Sequence, residues 1–173
     1  TLDSGLGSIS RFAFGECTAL PSVVIPDSVT SLGEYAFYGC SALDTITIGS
    51  GVQTISKYAF SECAFETVVI PDTVQTIGEA AFYDCNALTS VTFGTGITTI
   101  DESAFSWTGL TSVNIPETIQ ALSPYVFNYC TALTAVDIPD NILSIGQNAF
   151  TNCSLLADVT LHEGLESIGD AAF

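Results

Sequence analysis

One motif recurs along the whole chain at a nearly constant spacing, and this spacing limits the possible folds more than any other feature. Its phenylalanines follow one another at steps of 23, 23, 22, 23, 22, 23 and 23 residues: Phe14, Phe37, Phe60, Phe82, Phe105, Phe127, Phe150 and Phe173. An aliphatic residue lies five positions before each of them. A fixed period of this length is typical of solenoids, in which each repeat forms one coil and buries its apolar side by stacking on its neighbours.

A second motif, aliphatic-x-x-aliphatic-x-aliphatic, lies between consecutive phenylalanines. In Leu88-Thr89-Ser90-Val91-Thr92-Phe93, for example, apolar and polar residues alternate at the end, which predicts a short strand with one buried face. The same pattern predicts a strand that ends at Ile115. The two 22-residue steps remove one residue ahead of Phe65 and of Leu110, where we expect loops to absorb the loss without changing the strand register.

Composition excludes several classes of protein. The 173 residues are 47% hydrophobic, and 2 Lys+Arg against 19 Asp+Glu give a net charge of −17. Nucleic acids and anionic membranes need a dense basic surface, so neither is expected as a partner. No apolar run approaches the roughly 18 residues of a membrane span, and the first residues do not show the basic-then-apolar pattern of a signal peptide. We expect residues 1–173 to form a single solenoid of about seven to eight coils, as a fragment of a longer array, with flanking repeats or a partner covering its apolar ends.

Residues 25–40, which read IPDSVTSLGEYAFYGC, carry a family resemblance. They resemble the I-P-x-x-V-x-x-I-G-x-x-A-F-x-x-C unit of the BspA-like, or Treponema pallidum-type, leucine-rich repeat. The resemblance implies an α/β leucine-rich-repeat solenoid rich in β structure. Its concave side would carry a parallel sheet with one strand per 22–23-residue coil, and its convex side short strands, turns or helical turns. Members of the family are mostly cell-surface or secreted proteins linked to adhesion, and the family offers no catalytic residues to transfer.

Six cysteines occupy one position of the repeat, three residues after the phenylalanine, and Thr108 takes the seventh place. Equivalent residues in a solenoid lie one above another, and their parallel Cβ atoms stay further apart than the roughly 3.8 Å that a disulfide prefers. We therefore interpret these cysteines as small buried packing groups, with disulfides as the alternative. The sole histidine, His162, and the lack of Cys-x-x-Cys pairs do not favour a metal site.

Two further positions of the repeat carry most of the charge. One holds both basic residues between acids, and we expect it to form a charge ladder: Arg11, Glu34, Lys57, Glu79, Glu102, Pro124, Gln147 and Asp170. The other directly follows the strand and consists of Asp27, Ser50, Asp72, Thr95, Glu117, Asp140 and Glu163. Turn formation is the simpler interpretation of this second set. A row of Ca²⁺ ligands is the alternative, although no Asp-x-Asp-x-Asp-Gly loop supports it.

The outward positions of the predicted strands are short, hydroxyl-rich and uncharged over the first five coils, and they become acidic near the C-terminus. This pattern reflects either strand propensity or a binding surface. The candidate partner-binding residues are Thr47, Thr92, Asn114, Asp137, Asp158, Thr160 and His162. Hydroxyl groups suit a glycan, and the acidic end suits a basic protein loop.

No motif places a catalytic nucleophile, so the protein is predicted not to be an enzyme and to need no cofactor. Asp137 and His162 are one coil apart and could approach each other, but such a pair alone is more often structural. Trp107, Tyr38, Tyr83 and Tyr129 are expected around the turns, half-buried or exposed on the convex side. The sequence favours a protein- or glycan-binding adhesion module at the cell surface or secreted. The alternative is a structural spacer or assembly scaffold with uniform repeats.

Overall fold

The structure, a computed structural model, describes residues 2–173 and is a solenoid whose coils each contribute short strands on two sides. The concave side carries β2 (Ser22–Val24), β4 (Thr45–Thr47), β6 (Thr67–Val69), β8 (Ser90–Thr92), β11 (Ala135–Ile138) and β13 (Asp158–Leu161). The convex side carries β1 (Ser8–Ile9), β3 (Ser31–Leu32), β5 (Thr54–Ile55), β7 (Thr76–Ile77), β9 (Thr99–Ile100), β10 (Ala121–Leu122), β12 (Ser144–Ile145) and β14 (Ser167–Ile168). Every pairing is parallel and joins residues one repeat apart, such as Val23 with Ile46. The predicted parallel solenoid is confirmed.

The phenylalanines of the repeat form one continuous stack along the axis. Neighbouring ring centroids are between 5.0 Å, at Phe14 and Phe37, and 5.9 Å, at Phe105 and Phe127. The planes of neighbouring rings differ by no more than 19°. The rings from Phe37 to Phe150 in this stack are at most 1% exposed. The apolar side of each coil is therefore buried by the next coil, as the period predicts.

The convex turns contain no helical turn among the described residues, which corrects that part of the expectation. The residues two positions before each phenylalanine of the repeat, and those two positions after each one from Phe14 to Phe150, have positive φ angles, from 51° at Ala171 to 67° at Gly39. Most of them are not glycine, and an L-residue pays roughly 1–2 kcal/mol for this left-handed conformation. Hydrogen bonds to the next coil hold the turn, for example from the Phe14 amide to the Ala36 carbonyl at 2.8 Å. A left-handed residue on each side of the phenylalanine interrupts the helical backbone, which explains the difference.

The sheets are interrupted at places the sequence did not predict. On the concave side β2 pairs with β4, β6 with β8, and β11 with β13, while residues 111–115 form no strand. Both interruptions separate coils linked by a 22-residue step. The predicted strand ending at Ile115 is therefore wrong, whereas the expected register is kept across a 22-residue step on the convex side, where Thr54 pairs with Thr76 and Ile55 with Ile77.

Candidate functional site

The outward residues of the concave strands form an exposed face, as predicted. In β2, β6 and β8 the central residue is buried and both neighbours are exposed. Val24 and Val69 are 53% and 65% exposed although they are apolar. The first four coils thus present hydroxyl and methyl groups to solvent without a charged side chain among the outward strand residues, which are Ser22, Val24, Thr45, Thr47, Thr67, Val69, Ser90 and Thr92.

All seven candidate partner-binding residues are exposed. Thr47 and Thr92 lie on the uncharged part of the face, and Asn114 lies in the interrupted segment between β8 and β11. Asp137 is paired across the sheet with Thr160, and Asp158 with Ala135. The structure therefore brings the candidates of the last two coils together and leaves the others spaced along the face.

The acidic end of the face contains a shallow groove of about 440 Å³. Its lining residues come from three consecutive coils and are Glu117, Asp137, Pro139, Asp140, Asn141 and His162. The His162 Nε2 atom is 2.7 Å from the Asp137 Oδ1 atom, and its Nδ1 atom is 3.8 Å from the Asp140 Oδ1 atom. The expected approach of Asp137 and His162 is thus confirmed. The carboxylates of the groove can accept hydrogen bonds from an ammonium or guanidinium group. The lining residues include no hydroxyl or thiol that could act as a nucleophile.

Five of the six cysteines are buried, as predicted, and all six are free thiols. Each buried thiol donates to the carbonyl of a phenylalanine one coil earlier, for example from Cys85 Sγ to the Phe60 oxygen at 3.0 Å. Burial raises the pKa of Cys40 and Cys130 to about 11 and that of Cys85 to about 12. A thiol that stays protonated at neutral pH is a packing group and a donor, and it is a poor nucleophile or metal ligand.

Cys17 departs from this pattern because it is exposed. It lies in the first coil, where no earlier coil covers it. Thr108 makes a different contact, since its hydroxyl donates to the Phe105 carbonyl of its own coil at 2.9 Å and lies 3.2 Å from Cys130 Sγ of the next coil.

The charge ladder forms in two of its steps. The Arg11 Nε atom lies 3.7 Å from the Glu34 Oε2 atom, and Lys57 Nζ lies 2.6 Å from Glu79 Oε2. Both pairs are well exposed and therefore contribute little to stability. They neutralise the two basic side chains of the chain and leave the remaining surface acidic.

Two of the carboxylates that follow the strands, those of Asp27 and Asp72, bond to the backbone of the next coil. Asp27 accepts a 2.7 Å hydrogen bond from the Ser50 amide, and Asp72 accepts one of 2.8 Å from the Thr95 amide. The bond from Ser50 lowers the pKa of Asp27. Among residues 2–173, no three His, Cys, Asp or Glu side chains are grouped so that they could hold a metal ion. Asp27 and Asp72 thus lie in turns, as the simpler interpretation predicts, but their carboxylates bond to the next coil and not within the turn.

Aromatic rings that are exposed or half-buried form two short stacks on the convex side. Trp107, 39% exposed, stacks on Tyr129 with centroids 4.0 Å apart, whereas Tyr38, Tyr83 and Tyr129 are half-buried. The sequence reasoning missed a second stack, of Phe12, Tyr35 and Tyr58, with centroids 4.7 and 4.9 Å apart. The sequence does carry this signal, because Phe12, Tyr35 and Tyr58 each lie two residues before a phenylalanine of the repeat.

No helix in the described part of the chain is long and apolar enough to cross a membrane. A comparison with curated proteins found no match. The family model of the BspA type leucine rich repeat region matches this chain in six copies, over residues 7–134 and 120–173.

Solved bacterial proteins share the fold. A leucine rich cell surface protein from Faecalibacterium prausnitzii is 31% identical with a TM-score of 0.66, over 92% of this chain and 52% of that one. The leucine rich repeat protein of T. pallidum is 25% identical with a TM-score of 0.65, over 95% and 67% of the two chains. The pneumococcal vaccine antigen PcpA, at 17% identity, a TM-score of 0.55 and coverage of 95% and 64%, shows the fold alone.

The chain thus spans about half the length of the F. prausnitzii protein. The family match extends over nearly all of the chain and agrees with the stacked coils, parallel strands and buried phenylalanines described above. The chain therefore belongs to the BspA-type leucine-rich repeat family.

Proposed function

We propose that the protein is a non-enzymatic binding module that holds a protein or glycan partner on its concave face and acidic groove. The observation that carries this proposal is the exposed face itself, which is uncharged in the first four coils and ends in the groove around His162 and Asp137. Curved solenoids commonly bind partners on this side because many coils contribute to one continuous surface. We place the module at the cell surface or outside the cell, as the F. prausnitzii relative is a cell surface protein.

A basic protein loop fits the acidic end best. The net charge of −17 attracts cationic partners over long distances, and the Asp137 and Asp140 carboxylates can accept hydrogen bonds from lysine or arginine. The uncharged Thr47 and Thr92 part of the face suits a neutral glycan, because short hydroxyl side chains can both donate to and accept from sugar hydroxyls. Binding of either partner would serve the adhesion role that we propose.

The interruptions of the concave sheet favour this proposal over a structural spacer. A spacer needs uniform repeats, whereas residues 111–115 depart from the repeat beside the groove. Asn114 and Glu117 lie at this departure.

The test measures association of a lysine-rich peptide with the full chain by stopped flow at low and moderate salt. Replacing Asp137 and Asp158 by Asn should slow association at low salt, because electrostatic complementarity acts mainly on the on-rate. Glu102→Gln with Glu166→Gln is the control, since it removes the same charge from exposed positions outside the concave strands. Equal on-rates for the two double variants would reject the basic-partner proposal. A neutral glycan array probed with the native chain and with Thr47→Ala/Thr92→Ala tests the glycan alternative.

A further inference from the structure

The convex sheet is interrupted at two serines. In most coils one residue directly follows the aliphatic residue that lies five positions before the phenylalanine. Its amide donates to the carbonyl of the equivalent aliphatic residue one coil earlier. Examples are Gly33 to Ile9 at 2.7 Å, and Gly78 to Ile55 at 2.8 Å. Gly146 and Gly169 make the same bond at 2.8 Å. The convex sheet is continuous across each of these bonds and is interrupted between β3 and β5 and between β9 and β10.

At both interruptions a serine hydroxyl donates to the carbonyl that would otherwise accept the amide bond of the ladder. Ser56 Oγ donates to the Leu32 oxygen, and Ser123 Oγ donates to the Ile100 oxygen. Serine hydroxyls that bond to a nearby backbone carbonyl compete with the regular backbone ladder. The two serines therefore replace an amide bond with a side-chain bond at the same acceptor.

Asp101 shows that the hydroxyl, rather than the bulk of a side chain, is responsible. It occupies the same position of the repeat and has a Cβ atom, but its carboxylate has no hydrogen to donate. Its amide donates to the Ile77 carbonyl at 2.8 Å, and β7 and β9 remain paired.

Each convex interruption lies next to a concave one. The break between β3 and β5 adjoins that between β4 and β6, and the break between β9 and β10 adjoins that between β8 and β11. The phenylalanine stack continues across both, with centroids 5.4 Å apart at Phe37 and Phe60 and 5.9 Å apart at Phe105 and Phe127. At these two places the coils are joined by the ring stack and by the amide bonds of the turns, such as Phe37 to Ala59 at 2.8 Å and Phe105 to Val126 at 3.0 Å, and they lack the paired strands that join the other coils.

We propose that the solenoid consists of three blocks joined by two hinges, one at Ser56 and one at Ser123. Bending at a hinge changes the curvature of the concave face without opening the core, because the hydrogen-bonded turns serve as the pivot and no strand ladder resists on the two strand sides. The hinge at Ser123 lies between the uncharged surface of Thr92 and the acidic surface of Asp137, so it sets the distance between the two. This inference concerns the free protein and does not depend on the proposed function.

Amide hydrogen exchange of the full chain, followed residue by residue by NMR, tests the hinges. The amides of Ser56 and Ser123 should exchange at least about tenfold faster than those of Gly78 and Gly146, because they lack the ladder bond and local opening there is easier. Equal protection at the four positions would overturn the proposal.

Two variants separate the hinge from a general change in stability. Ser123→Gly frees the Ile100 carbonyl for the amide and should slow exchange at position 123 by about fivefold to tenfold, with little change at Gly78. Ser123→Thr keeps the hydroxyl and should leave exchange at position 123 fast. Unchanged exchange in Ser123→Gly, or equal slowing in both variants, would contradict the role of the hydroxyl.

Discussion

Truncating a ring in the centre of the phenylalanine stack should destabilise the protein strongly. Phe82 is fully buried, and its centroid lies 5.6 Å from that of Phe60 and 5.2 Å from that of Phe105. Phe65 also meets it edge-on at 6.2 Å. Phe82→Ala leaves a cavity and should cost about 3–5 kcal/mol, since buried Phe→Ala changes cost that much. For a chain of this size, that corresponds to a Tm lower by about 10 °C.

Phe173→Ala is the matched control, because Phe173 is 47% exposed and stacks on Phe150 alone, at 5.3 Å. Its loss should cost about 1–2 kcal/mol, in proportion to the smaller buried area. Thermal unfolding followed by circular dichroism and calorimetry compares the two variants. A Phe82→Ala protein that is no less stable than Phe173→Ala would refute the reasoning that stacking buries each coil.

Three further changes test the close packing, the thiols and the turn carboxylates. Gly96→Ala places a Cβ 2.0 Å from the Asp72 carbonyl oxygen and should cost about 1–3 kcal/mol, whereas Gly7→Ala, with open space around its Cβ, should be near neutral in urea titrations. Ellman's reagent should modify Cys17 alone in the native protein and six thiols in denaturant; rapid native modification of several would contradict the buried column. The lowered pKa of Asp27 means that its stabilising effect is present above the unfolded pKa of about 3.9 and is lost as the pH falls through the folded pKa. The Tm of Asp27→Ala should therefore decline less steeply than that of the native protein as the pH falls below about 3.9. An equally steep decline would show that Asp27 does not contribute to the pH dependence of stability.

The repeat period predicts the parts of the fold that depend on stacking. Equivalent letters at a constant spacing give the phenylalanine stack, the buried cysteine column and the exposed face, because each coil meets the same surroundings. The approach of Asp137 and His162 was predictable for the same reason, since they lie at neighbouring positions of consecutive coils.

The departures from the repeat could not be predicted from its average pattern. The loss of the strand at residues 111–115 depends on how a shorter coil meets two neighbours, and the period does not contain this geometry. At Ser56 and Ser123 the hydroxyl group bonds to the previous coil in place of the amide. A hydropathy pattern does not predict this, because it treats Ser and Gly as equivalent at this position. The left-handed turn residues were also hidden, because many of them are bulky residues such as Tyr35 and Trp107.

Contacts between phenylalanine rings in solution test the central claim, that each coil stacks directly on the next. In a sample labelled only at phenylalanine, NOESY spectra should connect each stack ring with the rings 22 or 23 residues away, because their centroids are 5.0 to 5.9 Å apart. An unbroken series from Phe14 to Phe173 is the predicted result. Spectra in which Phe37, Phe60 and Phe82 contact other rings instead of one another would contradict the stacked solenoid and the surfaces inferred from it.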